Sequence, residues 1–549
     1  KGVPILATTA TANDRVVEDV ASQLGEGIQV LRGPLARRSL QLQVIKLQDQ
    51  AERLAWLAQH LPDIPGSGII YCLTVADCDR VSMWLKRRGI DAPAYHARLT
   101  NEDRVEREQR LLNNEVKALV ATVALGMGFD KPDLGFVIHY QRPGSVVAYY
   151  QQIGRAGRAL DDAYAILLNG KEDDEIQEYF IQTAFPAVEE MGSVVEVLET
   201  NNSTEGLSTA DIQRSVNLPL RRIEKSLRFL EVEGTVIQDS RRYHRTVNPW
   251  RPDRERSANV TELRWQELDR MHQFVETREC LMEYIARELD DPHAGQCGRC
   301  ANCAGMLLSP FVDRELLREA TYFLKGYYLI IPPRKIWPAG AIENRAGKIP
   351  EEMQNAPGRS LCVYGDAGWG ETVAAGKYRD GHFSDELVLA TAKLIAKKWN
   401  PDPAPEWVTN VPSLRHPDLV AGFAARLARL RHLPYRPALI KERETPPQKE
   451  MQNSAQQAAN IVSALTVDTT KVMSGPVLLV DDVVDSRWTF TICGTLLREG
   501  GSGIVYPFAL ACVTETGTIQ WNSTDTTKPA RSSLSSALKS VKKTIQRAW

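Results

Sequence analysis

Four nearly continuous apolar runs constrain the first third of this chain more than any other feature. They are Ser67-Gly68-Ile69-Ile70-Tyr71-Cys72, Ala118-Leu119-Val120-Ala121-Thr122, Gly135-Phe136-Val137-Ile138-His139-Tyr140 and Ala163-Tyr164-Ala165-Ile166-Leu167-Leu168. Each is too short for a core helix, and Val81 to Arg88 with Gly89 as C-cap supplies a helix between the first two. A strand that is apolar along its length, rather than alternating, must be covered on both faces. The runs therefore predict an α/β fold with a parallel sheet between helices.

At 549 residues the chain exceeds one core, and about 150 residues per domain predicts three or four units. No apolar run approaches the roughly 20 residues of a membrane span. The start, Lys1-Gly2-Val3-Pro4, lacks the pattern of a signal peptide, so a cytoplasmic location is expected. A formal net charge of -2 excludes a globally basic nucleic-acid coat and leaves DNA contact to local patches. Nine cysteines, four of them clustered, favour metal binding in a reducing compartment over a disulfide framework.

The pattern divides the chain as follows. Residues 1–35 look like the end of one α/β lobe whose beginning is missing, and 36–185 form a second lobe. The polar stretch Thr200-Asn201-Asn202-Ser203-Thr204-Glu205-Gly206 precedes a helix capped by Ser208, a turn at Asn217-Leu218-Pro219, and a second helix faced by Ile223, Leu227 and Leu230 that stops at Gly234. Two short strands about Asp239-Ser240 complete a winged helix over 186–255. Residues 256–308 read as a helical hairpin, with one long helical pattern from 260 to 289 leading into the cysteine cluster. Residues 309–355 read as a linker with Pro332-Pro333, and 356–549 as a last α/β domain. That domain closes on a basic helix, Leu534, Leu538, Val541 and Ile545 on one face with Lys539, Lys542, Lys543 and Arg547 opposite.

Four constellations carry chemistry. Cys297, Cys300 and Cys303 share a tight loop, and Cys280 completes a tetrahedral set for structural zinc, a redox-active Cys-x-x-Cys pair being the alternative. Within Gln151-Gln152-Ile153-Gly154-Arg155-Ala156-Gly157-Arg158, two arginines three apart on one helical face form a fork for phosphate oxygens, against the plainer option of a solvated face. The chain contains no Gly-x-x-x-x-Gly-Lys-Ser/Thr loop and no Asp-Glu pair in the expected place for magnesium, so by itself it is expected not to hydrolyse ATP. On the winged helix, Arg221, Arg222, Lys225 and Arg228, with Arg241, Arg242, His244 and Arg245 of the hairpin, offer phosphate contacts. Tyr243 is expected at the hairpin tip to stack on a base pair, unless the module merely packs. Finally, Val477-Leu478-Leu479-Val480-Asp481-Asp482 is a buried strand ending in two carboxylates, followed by a turn, Asp485-Ser486-Arg487-Trp488, into a helix from Thr489. Such carboxylates hold ribose hydroxyls, or magnesium indirectly, and the helix start receives phosphate.

Thr9-Ala10-Thr11-Ala12, Ile69 to Cys72, Ala94-Tyr95-His96-Ala97, Ala121 to Pro132 and Tyr149 to Arg158 occur in the order and spacing of the later motifs of RecQ-family DNA helicases, and the cysteines extend that resemblance to about residue 305. It implies RecA-like lobes and an ATP-dependent, 3′ to 5′ helicase acting on single-stranded or forked DNA in replication, recombination or repair, with ATP and Mg2+ and a structural Zn2+. It implies a bacterial, nucleoid-associated protein. Gln151, Arg155 and Arg158 would reach the triphosphate, Arg158 as arginine finger; Gly128 and Asp130 would sit at the lobe interface; Thr9 and Thr11 would couple nucleotide state to DNA grip. The chain departs from the family in lacking the upstream nucleotide motifs and in carrying its winged helix before the cysteines.

The segment 475–489 resembles the phosphoribosyl-pyrophosphate signature of type I phosphoribosyltransferases, and Val411-Pro412-Ser413-Leu414-Arg415, Gly422-Phe423 and Thr445 through Asn460 resemble the ComF-type branch. The resemblance implies that Asp481, Asp482, Ser486 and Thr489 hold phosphoribosyl pyrophosphate. Where the family has glycine and a small residue the chain has Arg487 and Trp488, a bulky pair expected to narrow the cradle, so binding is expected ahead of transfer. A nucleotide enzyme tethered to DNA, or a non-motor DNA scaffold, are the competing expectations.

Overall fold

A computed structural model describes residues 8, 13–24, 29–31, 33–126, 128–201, 205–252, 254–338, 342, 345–366, 368–445, 453–513 and 519–520. Thr9, Thr11 and the basic C-terminal stretch lie outside the described residues. After α1 (Asp14–Leu24), six parallel strands form one sheet: β1 (Leu40–Lys46), β2 (Gly68–Tyr71), β3 (Ala94–Tyr95), β4 (Ala118–Ala121), β5 (Phe136–His139) and β6 (Ala163–Asn169), in the order β1-β6-β5-β2-β4-β3. The four apolar runs are β2, β4, β5 and β6, and the first three are buried at every position. Around the sheet lie α2 (Gln50–His60), α3 (Val75–Arg87), α4 (Asn101–Leu112), α5 (Val146–Ile153) and α6 (Glu172–Gln182). Side chains of Asp49, Thr74, Thr100 and Ser145 cap the first four of these by accepting a backbone N–H of the opening turn.

Next come α7 (Val188–Thr200), α8 (Thr209–Ser215), α9 (Leu220–Val232) and the hairpin β7 (Val236–Asp239) and β8 (Arg242–Arg245), all on one small core. Ser208 and Asp211 cap α8 reciprocally, and Gly234 closes α9 at φ 69°. The hairpin turn is Ser240-Arg241, one residue later than expected, with both residues at positive φ, 48° and 66°. That backbone matches the twist of a two-residue hairpin.

The single helical pattern of 260–289 is two helices, α10 (Arg254–Glu276) and α11 (Leu281–Glu288), because Cys280 leaves the helix to become the N-cap of α11; α12 (Ala301–Ala304) follows the cysteine loop. Tyr149 of α5 packs on Phe274 at 5.3 Å and Phe274 on Tyr284 at 5.6 Å, so the cysteine module shares a core with the first sheet.

The second half holds α13 (Arg314–Gly326), β9 (Tyr328–Ile331), β10 (Gly358–Val363), α14 (Gly370–Ala375), α15 (Asp385–Leu394), β11 (Trp407–Asn410), α16 (Pro417–Leu430), β12 (Leu439–Lys441), α17 (Ser454–Val462), β13 (Leu465–Val467), β14 (Val477–Val484), α18 (Trp488–Glu499), β15 (Val505–Cys512) and β16 (Ile519–Gln520). Its main sheet runs β11-β14-β15-β10-β9-β16, the first four strands parallel and the last two antiparallel, with β12 and β13 as a separate pair. Residues 309–355 are therefore not a linker. Helix α13 packs on α2, β9 joins the sheet, and Pro332-Pro333 merely ends that strand. One apolar core crosses the seam, with Trp84 and Phe323 at 5.2 Å and Trp56 Nε1 donating to the Ser309 carbonyl at 2.8 Å.

Candidate functional site

The arginines of the 151–158 motif do not share a helical face. Helix α5 stops at Ile153, and Arg155 to Arg158 form a turn that runs beside the loop after β4. Gly157 N–H donates to the Leu134 carbonyl and Ala159 N–H to that of Pro132, both at 2.9 Å. Gly157 has φ 66°, and a Cβ there would lie 2.6 Å from Ser39 Oγ, so only glycine permits the approach. This seam brings Gly128, Asp130, Arg155 and Arg158 together. Arg158 Nη1 meets Asp130 Oδ1 at 2.7 Å, both side chains being substantially exposed. Arg155 is half-buried and donates to the Phe129 carbonyl at 3.1 Å. Its guanidinium also lies beside the Tyr71 hydroxyl, which burial holds up at about 12 against that cation. Gln151 is exposed on the last turn of α5 and has a partner of its own. An exposed ion pair contributes about 0–1 kcal/mol, so Arg158 leaves Asp130 at little cost, whereas Arg155 is held.

Behind this turn His139 is 1% exposed, between Tyr71 and Tyr149 and 2.6 Å from Gln152 Oε1. Burial holds it down at about 4. Sequence reading also missed Arg53, which lies fully buried, donating to the Tyr140 carbonyl at 2.7 Å and meeting Asp173 at 2.8 Å and Glu172. A lone arginine in an amphipathic helix gives no sign of this.

Cys280, Cys297, Cys300 and Cys303 converge, all four sulfurs within 4.8 Å of one another. Sγ of Cys280 lies 3.4 Å from that of Cys297 and 3.9 Å from that of Cys300. Zinc–sulfur bonds of about 2.3 Å on a tetrahedron put sulfurs about 3.8 Å apart, so the set fits zinc. Backbone N–H groups of Cys297 and Leu281 point at the sulfurs of Cys280 and Cys300, at 3.2 and 3.4 Å, as thiolate ligands require.

The basic residues of α9 and the hairpin split into two groups. Arg222 grips Glu190 and, with Lys225, the Thr183 carbonyl; Arg245 pairs with Glu199 at 2.9 Å and caps the Asn248 carbonyl at 2.7 Å; Arg242 donates to the Gly206 carbonyl at 3.0 Å. Arg221, Arg228 and Arg241 are exposed. Tyr243 is not at the hairpin tip. It lies within β8, its backbone pairs with Leu207, and its ring packs on the small core.

In the second half, Asp481 and Asp482 do not end the strand as expected: β14 continues through Val483 and Val484, which still pair with Ala511 and Cys512 of β15, so the carboxylates lie within its last four residues. Lys377 Nζ meets Asp482 at 2.8 Å, while burial and the neighbouring Asp482 push the Asp481 carboxyl well above the usual range. Ser486 offers its carbonyl to Arg334 Nε at 2.8 Å, and Arg487, at φ 70°, donates to the Pro332 carbonyl at 3.2 Å. Trp488 does not fill the turn. It is 1% exposed in the core, stacked near Trp337 and beneath Arg334, whose guanidinium is 4.1 Å from its ring. Burial and Arg487 depress Arg334 to about 10. Lys377 and Arg334 are far from the strand in sequence, and no motif announces them. Thr489 faces a cavity of about 150 Å3 that also gathers Ser413, Arg415, Thr445 and Asn460.

A parallel lobe whose arginine turn is laced to the loop after β4 is packed against a four-cysteine module. Residues 52–160 match the family model of the helicase conserved C-terminal domain, and 237–304 match the RecQ zinc-binding model. The chain is 36% identical over 215 residues to the Caenorhabditis elegans putative ATP-dependent DNA helicase Q1, covering 38% of this chain and 34% of that protein. It is 33% identical over 212 residues to the Bacillus subtilis probable ATP-dependent DNA helicase RecS, covering 38% and 42%. The solved structure of the E. coli DEAD-box protein SrmB bound to regulator of ribonuclease activity A is 26% identical over 26% of this chain and 84% of that chain, with a TM-score of 0.24. The chain spans well under half the length of these two curated relatives.

Proposed function

We propose that the chain supplies the second motor lobe, zinc module and DNA-gripping winged helix of an ATP-dependent 3′ to 5′ RecQ-type DNA helicase. The observation that carries the reading is the parked Arg158, exposed and weakly paired to Asp130 on a seam that also holds Arg155. ATP and Mg2+ would sit against that seam, where an arginine stabilises charge as the phosphate bond breaks. The zinc, held by Cys280, Cys297, Cys300 and Cys303, fixes the module that α10 and α11 pack onto α5. Arg221, Arg228 and Arg241 are the phosphate contacts of the winged helix, with Arg222, Arg242 and Arg245 setting its shape. The test supplies a first lobe bearing the phosphate loop, in cis or in trans, and measures ATP turnover with and without forked DNA; no DNA stimulation overturns the reading.

A second reading concerns residues 356–513, supported by the two carboxylates in the C-terminal half of β14, just before the turn into α18. The domain has a phosphoribosyltransferase-type fold of ComF kind and binds phosphoribosyl pyrophosphate through Asp481, Asp482, Ser486 and Thr489. Lys377 already neutralises Asp482, which favours binding over metal-assisted transfer. Pyrophosphate release with a panel of bases tests it. Rapid turnover would make the domain an enzyme in its own right.

A further inference from the structure

Helix α17 touches two units at once. At its start Asn453, 2% exposed, caps the helix by accepting the Gln456 N–H at 2.9 Å. Its amide points the other way and donates to the carbonyls of Gln213, at 3.1 Å, and Val216. These carbonyls end α8, where a helix has no donors of its own. At the far end of α17, Asn460 and Ile461 line the cavity of about 150 Å3, whose other walls include Ser413, Arg415, Lys441 and Thr489. Arg415 and Lys441 have no ion-pair partner among the described residues, and Glu444 is also in the wall. Two cations beside hydroxyls match phosphoryl oxygens.

We propose that this cavity is an effector site for a small phosphorylated molecule, and that α17, locked to α8 by Asn453, couples its occupancy to the three-helix unit. An occupant gripping the cavity end of α17 biases the helix, and the Asn453 contacts pass that bias to α8, which shares a core with α9. Linkage makes the effect reciprocal: DNA on α9 changes ligand affinity by the same factor. Because the cavity includes Thr489, its choice of a phosphoryl ligand rests on the phosphoribosyl pyrophosphate reading above, and its DNA consequence rests on the winged-helix reading; the coupling through α17 rests on neither.

The test uses the full chain with inorganic pyrophosphate as probe. Calorimetry should show binding that Arg415→Ala with Lys441→Ala removes. Pyrophosphate should slow amide deuterium exchange in residues 209–216 as well as around the cavity. Asn453→Asp keeps the α17 cap but deletes the donors to α8, so it should retain pyrophosphate binding and lose the response of 209–216. Forked-DNA affinity should shift about five-fold or more with pyrophosphate in the parent chain and stay fixed in the variant. Absence of pyrophosphate binding, binding without a response in 209–216, or an undiminished response in Asn453→Asp each overturns the proposal. An α8 response with no DNA binding in any state upholds the coupling and defeats the winged-helix reading instead.

Discussion

Arg158 and His139 lie on opposite sides of one turn and make opposite demands. In the proposed motor Arg158 has to move, and its exposed pairing with Asp130 permits that. With a first lobe supplied, Arg158→Ala should lower DNA-stimulated ATP turnover by about a thousand-fold or more, with nucleotide affinity little changed; turnover persisting in that variant would shift the finger to Arg155. His139 must stay neutral. Its folded value near 4 lies below the ordinary 6.5, so it contributes stability above pH 6.5 that is lost as pH falls toward 4. The loss amounts to about 3 kcal/mol. Denaturant unfolding of the parent and of His139→Gln between pH 7 and 4.5 should show the parent losing about 2 kcal/mol relative to the variant, most of that total. The arginines were legible because their motif is linear, while their setting was not: a glycine turn after α5, rather than the helix, positions them. Tyr243 shows the reverse failure: its sequence setting suggests an exposed stacking ring, but its backbone pairs with Leu207 and its ring joins the small core.

At the scale of elements, the cysteine loop is the part most fully legible, because metal geometry leaves few arrangements for four sulfurs. What spacing did not convey is that Cys280 breaks a 23-residue helix from its successor and so sets how α11 meets α5. Mass spectrometry under reducing native conditions should find one zinc per chain. Its removal by a chelator, or Cys303→Ser, should lower the unfolding free energy by about 2 kcal/mol or more, roughly 5 °C in midpoint. An unchanged midpoint in metal-free protein would mean that the aromatic packing of Tyr149, Phe274 and Tyr284 holds the module unaided. The basic face of α9 was legible as composition only. Which cations face outward depended on Glu190, Glu199 and loop carbonyls that no pattern places.

The largest departure from expectation concerns the whole molecule. Proline-rich sequence suggested a free connector, yet α13 carries Phe323 and Leu324 into a core shared with Trp56 of α2 and Trp84 of α3 in the 36–185 lobe. Calorimetry should therefore show the lobe and the C-terminal domain melting in one transition. Phe323→Ala should cost about 3–5 kcal/mol and split that transition in two; two transitions already present in the parent would contradict a shared core. The seam also fixes an address. Because one core joins them, the arginine turn and the cavity at Thr489 should keep one spacing; in the proposed motor, a fluorophore pair across the seam should read a constant distance through the nucleotide cycle. On that reading, whatever the cavity holds would travel at a set offset from the point where strands part.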